Sequence, residues 1–300
     1  MMRRILAIGV VLVIASLTGC NYFGQCVNGS GLVISEVREI EDFTGVVNTA
    51  SFDLIVTRSD TYSVEVRAQE NLLPIIETYI SGNTLIIEIE NGVCLKSNSN
   101  VEVHVSMPET ELLGLTGSGR VFADVLVSTE VEVSNSGSGY MEIDSVLTET
   151  LDLGNSGSGH ISILGSYVNI VDAVQSGSGS ILCGTLFGVV EVDIRHSSSG
   201  RVSAILLDGV ELDVVLSGSG RVELSGDVEV AEYSLNSSGR IDALELEVSD
   251  VDATNTGSGN IYVWATDLLD ATITGSGDII YLGNPELSIS ITGSGSLRSY

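Results

Sequence analysis

The chain has 300 residues, with 40 acidic side chains against 12 basic ones and a formal net charge of −28. A surface of that sign repels nucleic acid and anionic lipid headgroups, which argues against a phosphate-binding role. Apolar residues make up 43% of the chain, and it has 34 glycines against 3 prolines; this is the composition of a β-rich chain with many tight turns, not of a disordered one.

The first twenty residues read MMRRILAIGVVLVIASLTGC. Arg3 and Arg4 form a positive n-region, and Ile5 to Ala15 form an apolar stretch too short to span a bilayer comfortably. Leu17-Thr18-Gly19-Cys20 resembles the lipobox of bacterial lipoproteins, which implies cleavage after residue 19 and acylation of Cys20. Asn21 follows the cysteine with no aspartate there to retain the protein at an inner membrane. The expectation is an exported, extracytoplasmic protein of the cell envelope, held by lipid and placed at an outer membrane where one exists. Residues 20–33 read as a lipidated tether, since "NGSG" is linker-like. Export permits disulfides; Cys26 and Cys94 are the natural pair because both lie outside the repeats described next, whereas Cys183 falls in an apolar column.

Residues 34–110 keep strand alternation, as in "SFDLIVT" and "YSVEVRA", and read as irregular opening coils and a cap. From residue 111 to the end a repeat takes over. The motif [ST]-G-S-G, sometimes degraded, begins at 116, 136, 156, 176, 197, 217, 236, 256, 274 and 292, in steps of 18 to 21 residues. Its third position is serine and its fourth glycine in every copy; two residues later comes an apolar column from Val121 through Met141 and Ile161 to Leu297. Short alternating strands at so even a period predict an all-β, parallel β-solenoid of 34–300, with two or three strands per turn. Unbroken alternation turns both motif glycines inward and both hydroxyls outward; a turn that sends the third-position serine inward is the alternative.

The GSG turns, taken with "VREIEDFTGV" (37–46), "NLLPIIETYISGNTLIIEI" (71–89) and "VEVHVSMPE" (101–109), resemble the family named putative auto-transporter adhesin, head GIN domain. The resemblance runs from about residue 34 to the end and implies a right-handed parallel β-helix in an exported bacterial protein, often a lipoprotein. It supplies no catalytic residues to carry over.

Chemistry-bearing constellations are few. His104, His160 and His196 fall in different columns and read as surface or strand-edge residues. Ten equivalent serines with no adjacent base are a ladder and not a nucleophile. Four residues before the second to the ninth motif stand Glu132, Asp152, Asp172, Asp193, Asp213, Glu232, Asp252 and Asp270, flanked by apolar neighbours. Stacked unit charges about 4.8 Å apart repel by about 0.9 kcal/mol per pair even in water. Such a stripe keeps an exposed stackable sheet soluble and unaggregated, or holds cations or a basic partner; it lacks the GGxGxDx spacing of calcium-loaded β-rolls. The reading is a non-enzymatic surface scaffold or adhesin-like module without cofactor, binding an extracellular glycan or protein and no nucleic acid. The alternative is a polysaccharide-active enzyme on the same scaffold, for which Arg201, Arg221 and Arg240 line one column.

Overall fold

The computed structural model of the chain describes residues 26–96 and 101–300. Cys20 and the signal segment lie outside them. Among the described residues the only helical piece is a single 3-10 turn, Leu73–Ile75, and no helix is long and apolar enough to cross a membrane. Everything else regular is strand, most of it stacked in parallel into a β-solenoid, with antiparallel pairs only in the opening region.

One turn shows how the sequence builds the others. Tyr140–Leu147 and Thr150–Asn155 are its two strands, and the GSG turn at 156–159 leads on to the next rung. Along Thr150–Asn155 burial alternates strictly, with Leu151, Leu153 and Asn155 inside and Asp152 outside. Along Tyr140–Leu147 the alternation slips once. Ile143 and Val146 are both buried, because the strand bends at Asp144–Ser145 to round a corner. Met141 pairs with Ile161, and Ile161 with Ile181, so equivalent residues twenty apart lie side by side. A bulge between Cys183 and Thr185 takes up the extra residue where a 21-residue turn meets the next one. From Arg201 onward the corner smooths out, and single strands such as Arg201–Leu216 and Arg240–Asn255 run from one GSG turn to the next.

The core is a set of columns. Val121, Met141, Ile161, Ile181, Val202, Val222, Ile241, Ile261 and Ile279 are all fully buried, each contributing about 1.5–3 kcal/mol relative to exposure. One rung alone exposes its apolar face; the stack buries it. Tyr233, the largest of the fully buried side chains, sits between Val214 and Ala253 in its column. Cys183 is buried among these residues, and burial pushes its thiol up to about 12, which leaves it an inert small apolar group.

The third-position serines are exposed in all ten copies, so the outward arrangement holds. The fourth-position glycines are buried and the second-position ones half-buried, except in the last copy, where Gly295 is half-buried as well. Their reason is contact, not dihedral freedom, since none of them has a positive φ. A Cβ on Gly159 would run into the carbonyl oxygen of Gly139 on the rung before.

The opening region departs from a simple continuation of coils. Gly45–Asn48 and Asp53–Arg58 pair in parallel with Leu112–Leu115 and with Arg120–Ala123 of the following turn. Their other edges pair with Thr84–Ile87 and Glu102–Met107, residues that come later in the chain. Val33–Arg38 and Ser63–Gln69 add antiparallel strands, as do Ile76–Ser81 and Thr84–Ile89. Cys26–Asn28, within the stretch expected to be a tether, is a strand parallel to Cys94–Lys96, and a Cys26–Cys94 disulfide fastens the two.

Candidate binding faces

The register places the eight acidic positions in one line. Glu132 pairs with Asp152, Asp152 with Asp172, and the series continues through Asp193, Asp213, Glu232 and Asp252 to Asp270. The line ends on Leu112 at one side and Ser288 at the other. Each of these strands buries the residues on either side of its acid, which turns the carboxylate to the outer face.

Electrostatics along the stripe follows from this crowding. Partial burial between neighbouring rungs raises the carboxyl of Asp152 above its ordinary value, and the charges of Asp172 and Glu130 add to it. Glu232 is raised by burial first, then by Asp213, Asp252 and Glu211. Asp252 is raised by burial, then by Asp270. Asp193 is raised by burial, opposed by Arg195 and reinforced by Asp172, Asp213 and Glu191. Desolvation therefore leads and like-charge repulsion comes second. Arg195, in the adjoining column, pairs with Asp172 at 2.9 Å and also with Asp193, bridging two rungs. Among the described residues no group of three or more His, Cys, Asp or Glu is arranged to hold a metal ion. The acids form a line and do not converge on a point, as a cation cage requires.

The three histidines separate. His104 is exposed, 3.5 Å from Glu102. His160 is exposed, its Nδ1 2.7 Å from the Ser180 hydroxyl. His196 is buried, contrary to the surface reading: it lies inside the solenoid, with Nε2 2.8 Å from the Gly200 carbonyl and Nδ1 3.1 Å from that of Gln175. It belongs to an inner polar column that pattern reading missed, formed by the residue just before several GSG turns and, in the opening region, by Asn48, which lies in register with Leu115. Asn48, Asn135, Asn155, Gln175, His196 and Asn255 occupy it and are all buried. Asn135 accepts from the Gly137 N–H at 3.1 Å and donates to the Gly139 carbonyl at 3.0 Å, so one amide serves two backbone groups of its own turn. Asn155 and Asn255 make the same bond to Gly159 and Gly259. Leu115, Leu216, Leu235, Ile273 and Ile291 fill the position in the other turns. The detectable signal was an Asn, Gln or His recurring one residue upstream of the motif.

On the face after the GSG turns, an open cleft of about 850 Å³ is lined in part by Leu164, Leu182, Ile205, Leu244 and Leu282. Leu164 is 59% exposed and Ile205 41%. Strand alternation alone gave no reason to expect apolar residues on this outward side.

Residues 42–205 and 187–285 match the profile of the family described as "Putative auto-transporter adhesin, head GIN domain". The crystal structure of a putative adhesin from Parabacteroides merdae is similar at 20% identity, covering 92% of this chain and 99% of that one, with a TM-score of 0.56. That of a putative lipid binding protein from Parabacteroides distasonis is similar at 25% identity, covering 92% and 100%, with a TM-score of 0.51. No curated protein matches the chain.

Proposed function

Because the chain belongs to the family described as putative auto-transporter adhesin, head GIN domain, we propose that it is an exported, lipid-anchored binding rod of the cell envelope that works without catalysis. The observation that supports this most is the register. Each outward position recurs on the next rung, as Glu132, Asp152, Asp172 and Asp193 do, so the molecule offers long repeating faces and not one focused site. A partner that also repeats, such as a surface glycan or a fibrous protein, then makes one weak contact per rung. Linked weak contacts add up to firm attachment when their spacings agree. In this reading the acylated Cys20 holds the rod, each buried methylene of its lipid contributing about 0.8 kcal/mol.

Two measurements test it. Replacing Cys20 with Ala should move the protein from the membrane pellet to the soluble fraction; unchanged fractionation removes the anchor from the reading. Beads coated with the chain should attach to glycan- or matrix-coated surfaces without releasing sugar products. Product release from any polysaccharide in a panel would favour the enzymatic alternative instead.

A second reading has one observation in its favour. The apolar part of the cleft lining, Leu164, Leu182, Ile205, Leu244 and Leu282, suits an acyl chain, and one structural relative is described as a putative lipid binding protein. Displacement of a fluorescent fatty acid, lost in an Ile205→Asp variant, is the outcome it requires.

A further inference from the structure

A second groove runs along the GSG turns and differs in character from the acidic stripe. It is an open channel of about 610 Å³ that crosses five rungs, from His160 to Arg240. Its wall holds the exposed hydroxyls Ser199, Ser219 and Ser238 and the guanidinium groups Arg201, Arg221 and Arg240, and it contains no carboxylate. In a chain with 40 acidic residues and 12 basic ones, that is a local inversion of the prevailing chemistry.

The three arginines are in register, Arg201 beside Arg221 and Arg221 beside Arg240, and so repeat at about 4.8 Å. Stacked like charges oppose folding, and nothing in the core calls for them. Two acids outside the groove wall hold them in place. Glu223 lies 3.0 Å from Arg221 and 3.8 Å from Arg201, and Asp242 bonds Nε and Nη2 of Arg240. A guanidinium has five N–H donors, so these bonds leave most of each fork for an outside acceptor. Arg240 also lies 3.8 Å over the Tyr262 ring, which keeps its plane against the sheet. The serines form a parallel row of hydroxyls one step away, with Ser219 and Ser238 3.4 Å apart. At the far end His160 and Ser180 continue the polar wall.

A row of planar forks beside a row of hydroxyls fits a ligand with one oxyanion and several hydroxyls per repeat. A linear polysaccharide of carboxylate-bearing sugars has that composition, and its sugars advance by a length close to the rung spacing. Arginine binds a carboxylate through two parallel N–H bonds, and hydroxyls serve sugars as donor and acceptor alike. A nucleic acid carries no such density of hydroxyls; the net charge opposes any polyanion, so binding here rests on the local arginine row and not on the overall field. We propose that the Ser199–Arg240 groove is a subsite for an extended acidic polysaccharide, with Arg201, Arg221 and Arg240 each taking a sugar carboxylate. This deepens the binding-rod reading and rests on it.

The test uses the full-length chain and three probes of matched length: oligogalacturonate, a heparin fragment and neutral dextran, titrated by calorimetry at physiological salt. Oligogalacturonate should bind, dextran should not, and Arg201→Gln with Arg221→Gln should weaken binding at least tenfold. Arg221→Lys, which keeps the charge and loses the fork, should recover only part of that loss. Melting curves matching wild type establish that the variants are folded. Asp213→Asn, in the acidic stripe, should leave oligogalacturonate affinity within twofold. Equal binding of dextran, unaltered binding by a folded Gln variant, no binding of oligogalacturonate, or binding of heparin alone would each overturn the proposal. Attachment of coated beads separates it from the wider reading. Beads bearing the Gln variant that still attach sink the groove and keep the rod, whereas wild-type beads that attach to nothing sink the rod.

Discussion

A single methyl group at Gly159 is a sharp probe of the stack. A Cβ there would overlap the Gly139 carbonyl oxygen, lie 3.0 Å from the Gly139 nitrogen and 2.6 Å from Nδ2 of Asn135. Two of these three neighbours are backbone of the preceding rung, and the third is an amide already bonded to Gly139 at 3.0 Å. Relief requires the rungs to part by about an ångström, enough to break hydrogen bonds of ordinary length. The bonds at risk are Gly159 N–H to Gly137 at 3.1 Å and His160 N–H to Gly139 at 3.0 Å, each worth about 0.5–1.5 kcal/mol net. Leaving the buried Asn135 amide unsatisfied adds about 1–3 kcal/mol. Gly159→Ala should therefore destabilise by about 2 kcal/mol or more, and Gly159→Val by more again. The control is Gly154, five residues earlier on the same rung, where a Cβ meets nothing within 4 Å and φ is not positive. Gly154→Ala should be neutral or stabilising by about 0.4–1 kcal/mol, through the unfolded chain. Urea denaturation at 25 °C, comparing midpoints at equal slope, reads both. If the two variants share a midpoint, close backbone approach is not what keeps glycine in the turn.

The acidic stripe makes stability depend on pH. The carboxyls of Asp152, Asp193, Glu232 and Asp252 are raised in the folded state, so the folded chain binds more protons than the unfolded one through that window. Their charging costs stability as pH climbs past the unfolded carboxylate values, about 3.9–4.3, and through the folded ones. The melting temperature at fixed ionic strength should be higher at pH 5 than at pH 7, and Asp152→Asn with Asp252→Asn should shrink the difference; a flat profile in the wild type refutes the crowding. The Cys26–Cys94 disulfide closes a separation of 68 residues, for which loop entropy predicts about 4 kcal/mol. Reduction, or Cys26→Ser with Cys94→Ser, should lower the first unfolding transition, and an unchanged melt would mean that the opening strands hold without it.

In the repeats, much was legible without coordinates. When strands of equal length recur at an even period, lateral neighbours are simply residues about twenty apart, and alternation within each strand decides inside from outside. That is why Asp152 could be placed beside Asp172 and Ile161 in the core from letters alone, whereas the side taken by Ser158 was decided only by the geometry of the turn. The GSG turns, together with the blocks at 37–46, 71–89 and 101–109, also carry the resemblance to the family whose profile the chain matches. The opening region obeys no such rule. Gly45–Asn48 lies between Thr84–Ile87 and Leu112–Leu115, an insertion against chain order that only long-range pairing decides, because no local pattern encodes which rung a strand will join. The place of His196 was missed although alternation along Glu191–His196 points it inward, because its polar side chain argued for the surface. Its column holds Asn, Gln, His, Leu and Ile in turn, and a polar residue is welcome inside only where a turn's own backbone groups come within its reach. The order of effects on the stripe was closed to pattern reading. Alignment foresaw repulsion between stacked carboxylates, but burial between rungs outweighs it, and burial is a property of the closed stack and not of any one strand.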